Sequence, residues 1–333
     1  MDVLRIGLLG SARIAATALL EPAAIVPQVT VTAVAARDHA RAEALSKRHG
    51  IPSAYGSYDE LLADPDIDAV YNPLPNSLHG PWTLKAIAAG KHVLCEKPFA
   101  SNADEAARVA EAAEGSGLVV MEAMHYRYHP LVHRLRDLVG ELGPVRNIQC
   151  WTSFVITNLA NIRYDYSLGG GALMDGGCYA IDCLRLLGPG EPAVTAALAD
   201  PLPLSRESSS GAVADRAMAV RLAFPGGATG WFESAFTLDG EFRADVHVSC
   251  EYGTVWVQDF IRPHWGHLVA AGNGSVLADE RGAGDTSYAE QLRAFAGAVV
   301  TGAPVPTSAA HAVTTMRLID DAYRAAGLLP RGV

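Results

Sequence analysis

The first apolar stretch of this 333-residue chain, Leu4 to Leu9, breaks directly into Gly10-Ser11-Ala12-Arg13-Ile14-Ala15, and that junction constrains the fold more than any other segment. A short strand that ends in a glycine turn and opens a helix begins a βαβ unit, and the rhythm continues. Val29 to Ala36, Ala69 to Asn72, His92 to Cys95 and Leu118 to Ala123 read as further strands with helical stretches between them. Ser57-x-x-Glu60 and Asn102-x-x-Glu105 read as capping boxes, and Gly90 stands where a helix over Ser77 to Ala89 should stop. Strands apolar on both faces, alternating with helices, predict an α/β doubly wound parallel sheet over residues 1–124.

The rhythm changes after Ala123. A helix from Pro130 to Val139 leads to a strand over Val145 to Phe154, and Gly169-Gly170-Gly171 precedes a helix running to Leu187. Met218 to Phe224, Thr229 to Phe236, Asp245 to Cys250 and Thr254 to Phe260 alternate apolar and polar residues, the signature of a sheet with one buried face. Residues 125–333 are therefore expected to form an α+β domain around a large, mostly antiparallel open sheet. Its closing helices, Tyr288 to Val300 and Ser308 to Leu328, are free to pack back on the first domain. The serine-rich Ser205 to Ala214 reads as a mobile loop.

Composition narrows the function. Acidic residues outnumber basic ones, 36 to 26, so no general positive field attracts nucleic acid or an anionic membrane, and any phosphate must be held locally. The N-terminus has no basic and apolar leader, and no run of ~18 apolar residues occurs. Five scattered cysteines without a CxxC pair predict neither a disulfide framework nor a zinc ribbon. A cytoplasmic location follows as the expectation.

The spacing G-x-G-x-x-A is met by Gly10, Ala12 and Ala15, with alanine in the middle position. Only one methyl is added where the backbone meets a pyrophosphate, so a dinucleotide on the helix N-terminus remains compatible. The alternative is an ordinary strand-to-helix turn. An NAD enzyme usually carries a carboxylate at the end of the second strand, yet here Arg37 comes first and Asp38 second. A guanidinium grips a 2′-phosphate that a carboxylate repels, which favours NADP. Two other readings stay open: Asp38 serving an NAD ribose, or both residues merely starting a helix.

Glu96-Lys97-Pro98 follows the fifth strand and presents a lysine at the carboxyl edge of the sheet, where ligands of such sheets bind. In the second domain Asp175 and Tyr179 lie four apart and share a face if the turn is helical. Interconverting an alcohol and a carbonyl by hydride transfer requires a protein acid or base. Tyr179 can serve if a cation such as Lys97 lowers its pKa, with Asp175 orienting the hydroxyl or the lysine. Taken singly, Lys97 reads equally as a surface lysine, Tyr179 as packing and Asp175 as a cap.

Taken together, the Gly10 to Ala15 turn, Tyr71-Asn72-Pro73-Leu74-Pro75-Asn76-Ser77-Leu78-His79, Glu96-Lys97-Pro98, Glu122 to Arg127 and Gly169 to Tyr179 resemble the glucose-fructose oxidoreductase, inositol dehydrogenase and rhizopine-catabolism family over essentially the whole chain. Many members have histidine where this chain has Tyr179. Tyrosine there is similar to a branch of sugar and dihydrodiol oxidoreductases that tends to use NADP. The resemblance implies a Rossmann domain joined to an α+β domain whose open sheet forms a homo-oligomer interface. It implies Lys97, Asp175 and Tyr179 as active-site residues and allows a cis Lys97–Pro98 bond. It further implies that Gly10, Ser11, Ala12, Arg13, Ile14, Pro73, Leu74, Asn76, His79 and Glu96 line the dinucleotide, with Arg127 and Tyr288 near its nicotinamide end. Arg163 is the implied substrate contact.

The expected function is therefore NADP-dependent hydride transfer on a secondary alcohol or carbonyl of a sugar or polyol. The alternatives are a trans-dihydrodiol dehydrogenase and a non-catalytic NADP-binding regulator. His125, His129 and His133 recur every four residues, but Pro130 interrupts that face and no metal is expected. Cys178 reads as packing rather than a redox thiol. Tyr164, Tyr166 and Trp231 favour a ring-bearing substrate or, as strand aromatics usually do, the core.

Overall fold

The computed structural model describes residues 3–201 and 213–332, and falls into two compact units. One comprises the chain up to His125 together with Tyr288–Val313, and the other comprises Tyr126–Ser287 with the chain from Thr314 onward.

The first unit is built on six parallel strands: β1 (Leu4–Leu9), β2 (Val29–Ala35), β3 (Ser53–Tyr55), β4 (Ala69–Asn72), β5 (His92–Cys95) and β6 (Val120–Glu122). They pair in the order β3-β2-β1-β4-β5-β6, a doubly wound sheet whose strand order reverses beside β1. Burial on both faces explains the near-continuous apolar strands. Both expected helix starts form. Ser57 and Asn102 accept from the amides of Glu60 and Glu105 at 3.1 and 2.9 Å. Each glutamate reaches back to the amide before the cap, Gly56 at 3.2 Å and Ser101 at 2.6 Å.

The second unit carries eight strands: β7 (Val145–Val155), β8 (Ala193–Pro201), β9 (Asp215–Ala223), β10 (Thr229–Thr237), β11 (Arg243–Cys250), β12 (Gly253–Gln258), β13 (His267–Gly272) and β14 (Ser275–Arg281). Their order is β14-β13-β12-β11-β7-β10-β9-β8, antiparallel except where β10 runs parallel to β7. Alternate residues of β10 and β11 are buried, so one face forms the core. The helix Cys178–Leu187 is apolar nearly all round and buried along its length. The Ser205 to Ala214 loop expectation falls almost wholly outside the described residues.

Candidate functional site

In the first unit, β1 ends at Gly10, whose φ of +84° is left-handed. Its amide bonds the Ala35 carbonyl at 2.7 Å, and a Cβ there would lie 2.8 Å from the Leu74 side chain. Glycine is thus required twice, by conformation and by space. Beyond it Ser11 and Ala12 are half-buried, Arg13 and Ile14 exposed, and the following helix begins with a π turn over Ala16–Leu20.

At the end of β2 the competing readings of Arg37 and Asp38 separate. Asp38 is the N-cap of the helix His39–His49, its carboxylate accepting from the Ala40 amide at 3.1 Å. Arg37 is exposed, and its positive charge, with that of Arg41, acts on the Tyr58 hydroxyl. Burial raises the Tyr58 pKa and the two guanidiniums oppose it. That hydroxyl lies 3.7 Å from where a Gly10 Cβ would stand, so the field of the two arginines extends to the glycine turn.

Buried Asn72, the last residue of β4, organises the segment that follows. Its amide donates to the His79 carbonyl at 3.1 Å and to Thr83 at 3.3 Å, and its oxygen accepts from Leu74. His79 sits beneath this loop with its ring nitrogens 2.7 Å from the carbonyls of Leu74 and Pro98. Burial lowers the His79 pKa to about 4 against the upward pull of those two carbonyls; the neutral ring has one N–H and so donates to one carbonyl at a time, either in the loop after β4 or in the loop after β5.

That second loop is Glu96-Lys97-Pro98, with a cis Lys97–Pro98 peptide. Tyr71 donates to the Glu96 carboxylate at 2.6 Å, and the same carboxylate accepts from the Lys97 amide at 3.3 Å. The Phe99 amide is held by Glu122 at 3.0 Å. The backbone carrying Lys97 is therefore fixed on both sides of the lysine. Tyr288 stacks on His125, ring centroids 3.9 Å apart.

The second unit supplies Asp175 and Tyr179. The segment is helical, but its first turn is a π turn, Leu173–Gly177, continuing as the α-helix Cys178–Leu187. Such widened turns recur at functional sites. Gly176 presses on the sheet: a Cβ there would lie 2.6 Å from Ser234 and 2.7 Å from Phe154. Asp175 and Tyr179 are only 8 % and 4 % exposed. Arg163 donates to the Asp175 carboxylate at 2.6 Å, so the implied substrate contact and the implied active-site aspartate are ion-paired.

Tyr179 meets the edge of Tyr126 at 6.0 Å between centroids, and the Tyr126 hydroxyl donates to Asp182. Arg127, implied for the nicotinamide end, pairs with that same fully buried Asp182 at 3.2 Å. Asp182 is a residue that sequence reasoning passed over; a lone carboxylate inside Cys-Tyr-Ala-Ile-Asp-Cys-Leu was its signal, because a buried charge requires a partner. Tyr164 packs on Phe236, Tyr166 donates to the Pro330 carbonyl, and Trp231 packs on Trp151, so these aromatics are occupied by the fold.

His129 caps the helix Pro130–Glu141 and His133 faces the Arg127 carbonyl, while His125 belongs to the first unit. Among the described residues no three metal-ligating side chains gather. The five cysteines are buried and form no disulfide with one another. No helix among the described residues is long and apolar enough to cross a membrane.

Comparison with known proteins agrees with this geometry. Residues 4–124 match the family model described as an oxidoreductase family with an NAD-binding Rossmann fold, and residues 132–256 match the GFO/IDH/MocA C-terminal domain. The chain is 37 % identical to D-xylose 1-dehydrogenase (NADP(+)) 2 of Haloferax volcanii, covering 96 % of each. It is 34 % identical to trans-1,2-dihydrobenzene-1,2-diol dehydrogenase of Sus scrofa, over 71 % of this chain and 67 % of that one. A crystal structure of KijD10, a 3-ketoreductase from Actinomadura kijaniata in complex with NADP and TDP-benzene, superposes with a TM-score of 0.86 at 27 % identity, covering 97 % of this chain and 98 % of that one. A left-handed glycine turn opening a doubly wound sheet, joined to this eight-stranded sheet, thus places the chain in the GFO/IDH/MocA family of oxidoreductases.

Proposed function

We propose that this protein is an NADP-dependent oxidoreductase that interconverts a secondary alcohol and a carbonyl on a sugar or polyol, with Tyr179 as acid and base and with Lys97 and Asp175 as its partners. The observation that carries the reading is the buried carboxylate and phenol four residues apart, Asp175 on a widened turn wedged against the sheet and Tyr179 on the helix that continues it.

The residues of the first unit fit a nicotinamide dinucleotide. Gly10 gives the left-handed turn that opens the helix after β1, and Arg37 and Arg41 supply positive charge where a 2′-phosphate needs it. Asp38, spent on capping, offers no competing carboxylate to a ribose. Ser11, Ala12, Arg13, Ile14, Pro73, Leu74 and Asn76 form the surrounding turn and loop, with His79 and Glu96 fixing the backbone from below. Such a cofactor, when bound, supplies or takes up the hydride.

The chain itself manages the proton. In the oxidative direction Tyr179 Oη accepts the hydroxyl proton as its carbon loses hydride; in reduction the phenol returns that proton to the alkoxide oxygen. Lys97 favours the phenolate and donates to the reacting oxygen, placing positive charge where negative charge develops. Asp175, held by Arg163, accepts from a sugar hydroxyl and fixes the ring.

The D-xylose dehydrogenase relative favours an aldose, and the dihydrodiol dehydrogenase relative favours a trans-dihydrodiol as the second reading. Absorbance at 340 nm with NADP or NAD against aldoses, inositols, deoxysugars and trans-dihydrodiols separates them. Turnover with NADP and an aldose or polyol is expected. Turnover confined to dihydrodiols selects the second reading, and cofactor binding with no turnover on any substrate, in either direction, overturns both.

A further inference from the structure

Near the C-terminal end of the described residues, Pro330 and Arg331 are buried in the second unit. Arg331 is fully buried, and so is its partner Asp215 at 2.6 Å. The guanidinium Nε donates to the Gly170 carbonyl at 2.7 Å, and its plane lies over the rings of Tyr166 and Tyr323 at 4.6 and 4.1 Å. Tyr323 donates to the same Asp215 oxygen at 2.7 Å, and Tyr166 donates to the neighbouring Pro330 carbonyl. A buried arginine with every contact satisfied is costly to assemble and costly to disturb, so its position calls for a reason.

The contacts lead to the π turn. The second Asp215 oxygen accepts from the amide of Leu173, the first residue of that turn, at 2.7 Å. Gly171 adopts φ +136°, and a Cβ on it would run into Asp215, Arg331 and Tyr323. Its amide donates to the Arg163 carbonyl at 2.9 Å, and its own carbonyl receives the Asp175 amide at 3.0 Å. Gly170 packs so closely on Arg163 that a Cβ would stand 2.5 Å from the Arg163 oxygen. The buried ion pair therefore fixes both the backbone of Asp175 and the backbone of Arg163, the two residues whose side chains pair at 2.6 Å.

We propose that Arg331, acting through Asp215, is a positioning residue that sets the Arg163–Asp175 pair and the turn carrying Tyr179, so that the C-terminal end of the chain completes the catalytic geometry. The inference rests on the reading of Asp175 and Tyr179 given above. Arg331 touches neither reactant nor cofactor in this role. It spans a carbonyl and a carboxylate with one rigid fork, which a lysine cannot do.

The test compares wild type with Arg331→Lys and Tyr166→Phe, the latter removing only the bond to Pro330. Amide exchange of peptides over residues 169–179 reads the turn without needing turnover. It should quicken about tenfold in Arg331→Lys and less in Tyr166→Phe, with residues 4–124 unchanged. With substrate, kcat should fall roughly 10- to 100-fold and KM for the sugar should rise, while the NADPH Kd stays within about twofold. Ethylguanidinium added to Arg331→Ala should restore part of kcat. Unchanged exchange at 169–179 overturns the proposal. So does quickened exchange with unchanged kcat, or a loss of rate fully accounted for by a smaller folded fraction at unchanged KM. A wild type without turnover overturns the functional reading instead, and the exchange result alone then decides whether Arg331 fixes the turn.

Discussion

Replacing Arg37 by alanine should weaken NADPH and leave NADH nearly untouched. Arg37 stands at the end of β2, exposed, and acts together with Arg41 on the Tyr58 hydroxyl beside the Gly10 turn. A hydrogen bond to a charged group contributes about 1.5–3 kcal/mol, and each ~1.4 kcal/mol is tenfold in affinity. Exposure to solvent and the remaining charge of Arg41 place the loss at the low end, roughly 10- to 30-fold in the NADPH Kd. NADH lacks the 2′-phosphate, and Asp38 is held by the Ala40 amide, so its Kd should move less than about twofold. Fluorescence titration of both cofactors on wild type and Arg37→Ala measures this directly. An NADPH Kd within about twofold of wild type, or equal losses for both cofactors, would refute the assignment of the 2′-phosphate to Arg37.

Two further outcomes concern stability. Asp182→Ala strands Arg127 and the Tyr126 hydroxyl in the core, and removing one partner of a buried pair costs about 3–5 kcal/mol, so urea unfolding should lose that much of its free energy; a change below about 1 kcal/mol would show that the cluster is not a structural linchpin. His79 and His129 both have pKa values lowered to about 4, chiefly by burial. Below the unfolded value of 6.5 the unfolded chain binds protons that the folded chain refuses, so their contribution is complete above that value and is lost as pH falls from 6.5 towards 4. Each should give a slope of about 1 kcal/mol per pH unit in that window, and an unfolding free energy flat between pH 6.5 and 4.5 would contradict it.

Much of the fold was legible because the first sheet is largely buried on both faces, so β1, β2, β4, β5 and β6 are predominantly apolar, each with only one or two polar residues. Four strands escaped notice: β13 alternates buried and half-buried residues as the recognised strands do, while β3, β8 and β14 are strands where burial leaves little mark. β3 is three half-buried residues, and β8 is an alanine-rich edge with most side chains exposed. β14 is another edge, exposing Val276 and Leu277. The helix after Gly171 was foreseeable from its apolar run, but its π turn was not. That widening comes from Gly176 lying on Ser234, Phe154 and Thr152, residues distant in sequence.

The site divides along the same line. Lys97, Asp175 and Tyr179 stand out because a glycine-rich turn or a strand end presents each of them. Asp182, Asp215 and Arg331 carry no local pattern, since each matters through a partner that only folding supplies: Asp182 meets residues more than fifty positions away and Arg331 meets Asp215 over a hundred. Arg163 was named as a substrate contact, and its pairing with Asp175 needed the backbone contact between Gly170 and Arg163 to become visible.

The most direct test of the account is single-substrate turnover by wild type and Tyr179→Phe, with the NADPH Kd measured on both. The substitution removes one oxygen from a ring that packs against Tyr126, so the fold and the cofactor affinity should survive. Loss of the general acid and base should lower kcat by about 10²- to 10⁴-fold at an NADPH Kd within about twofold. A Tyr179→Phe enzyme that turns over at the wild-type rate would contradict the central claim, because the proton would then be carried by another group.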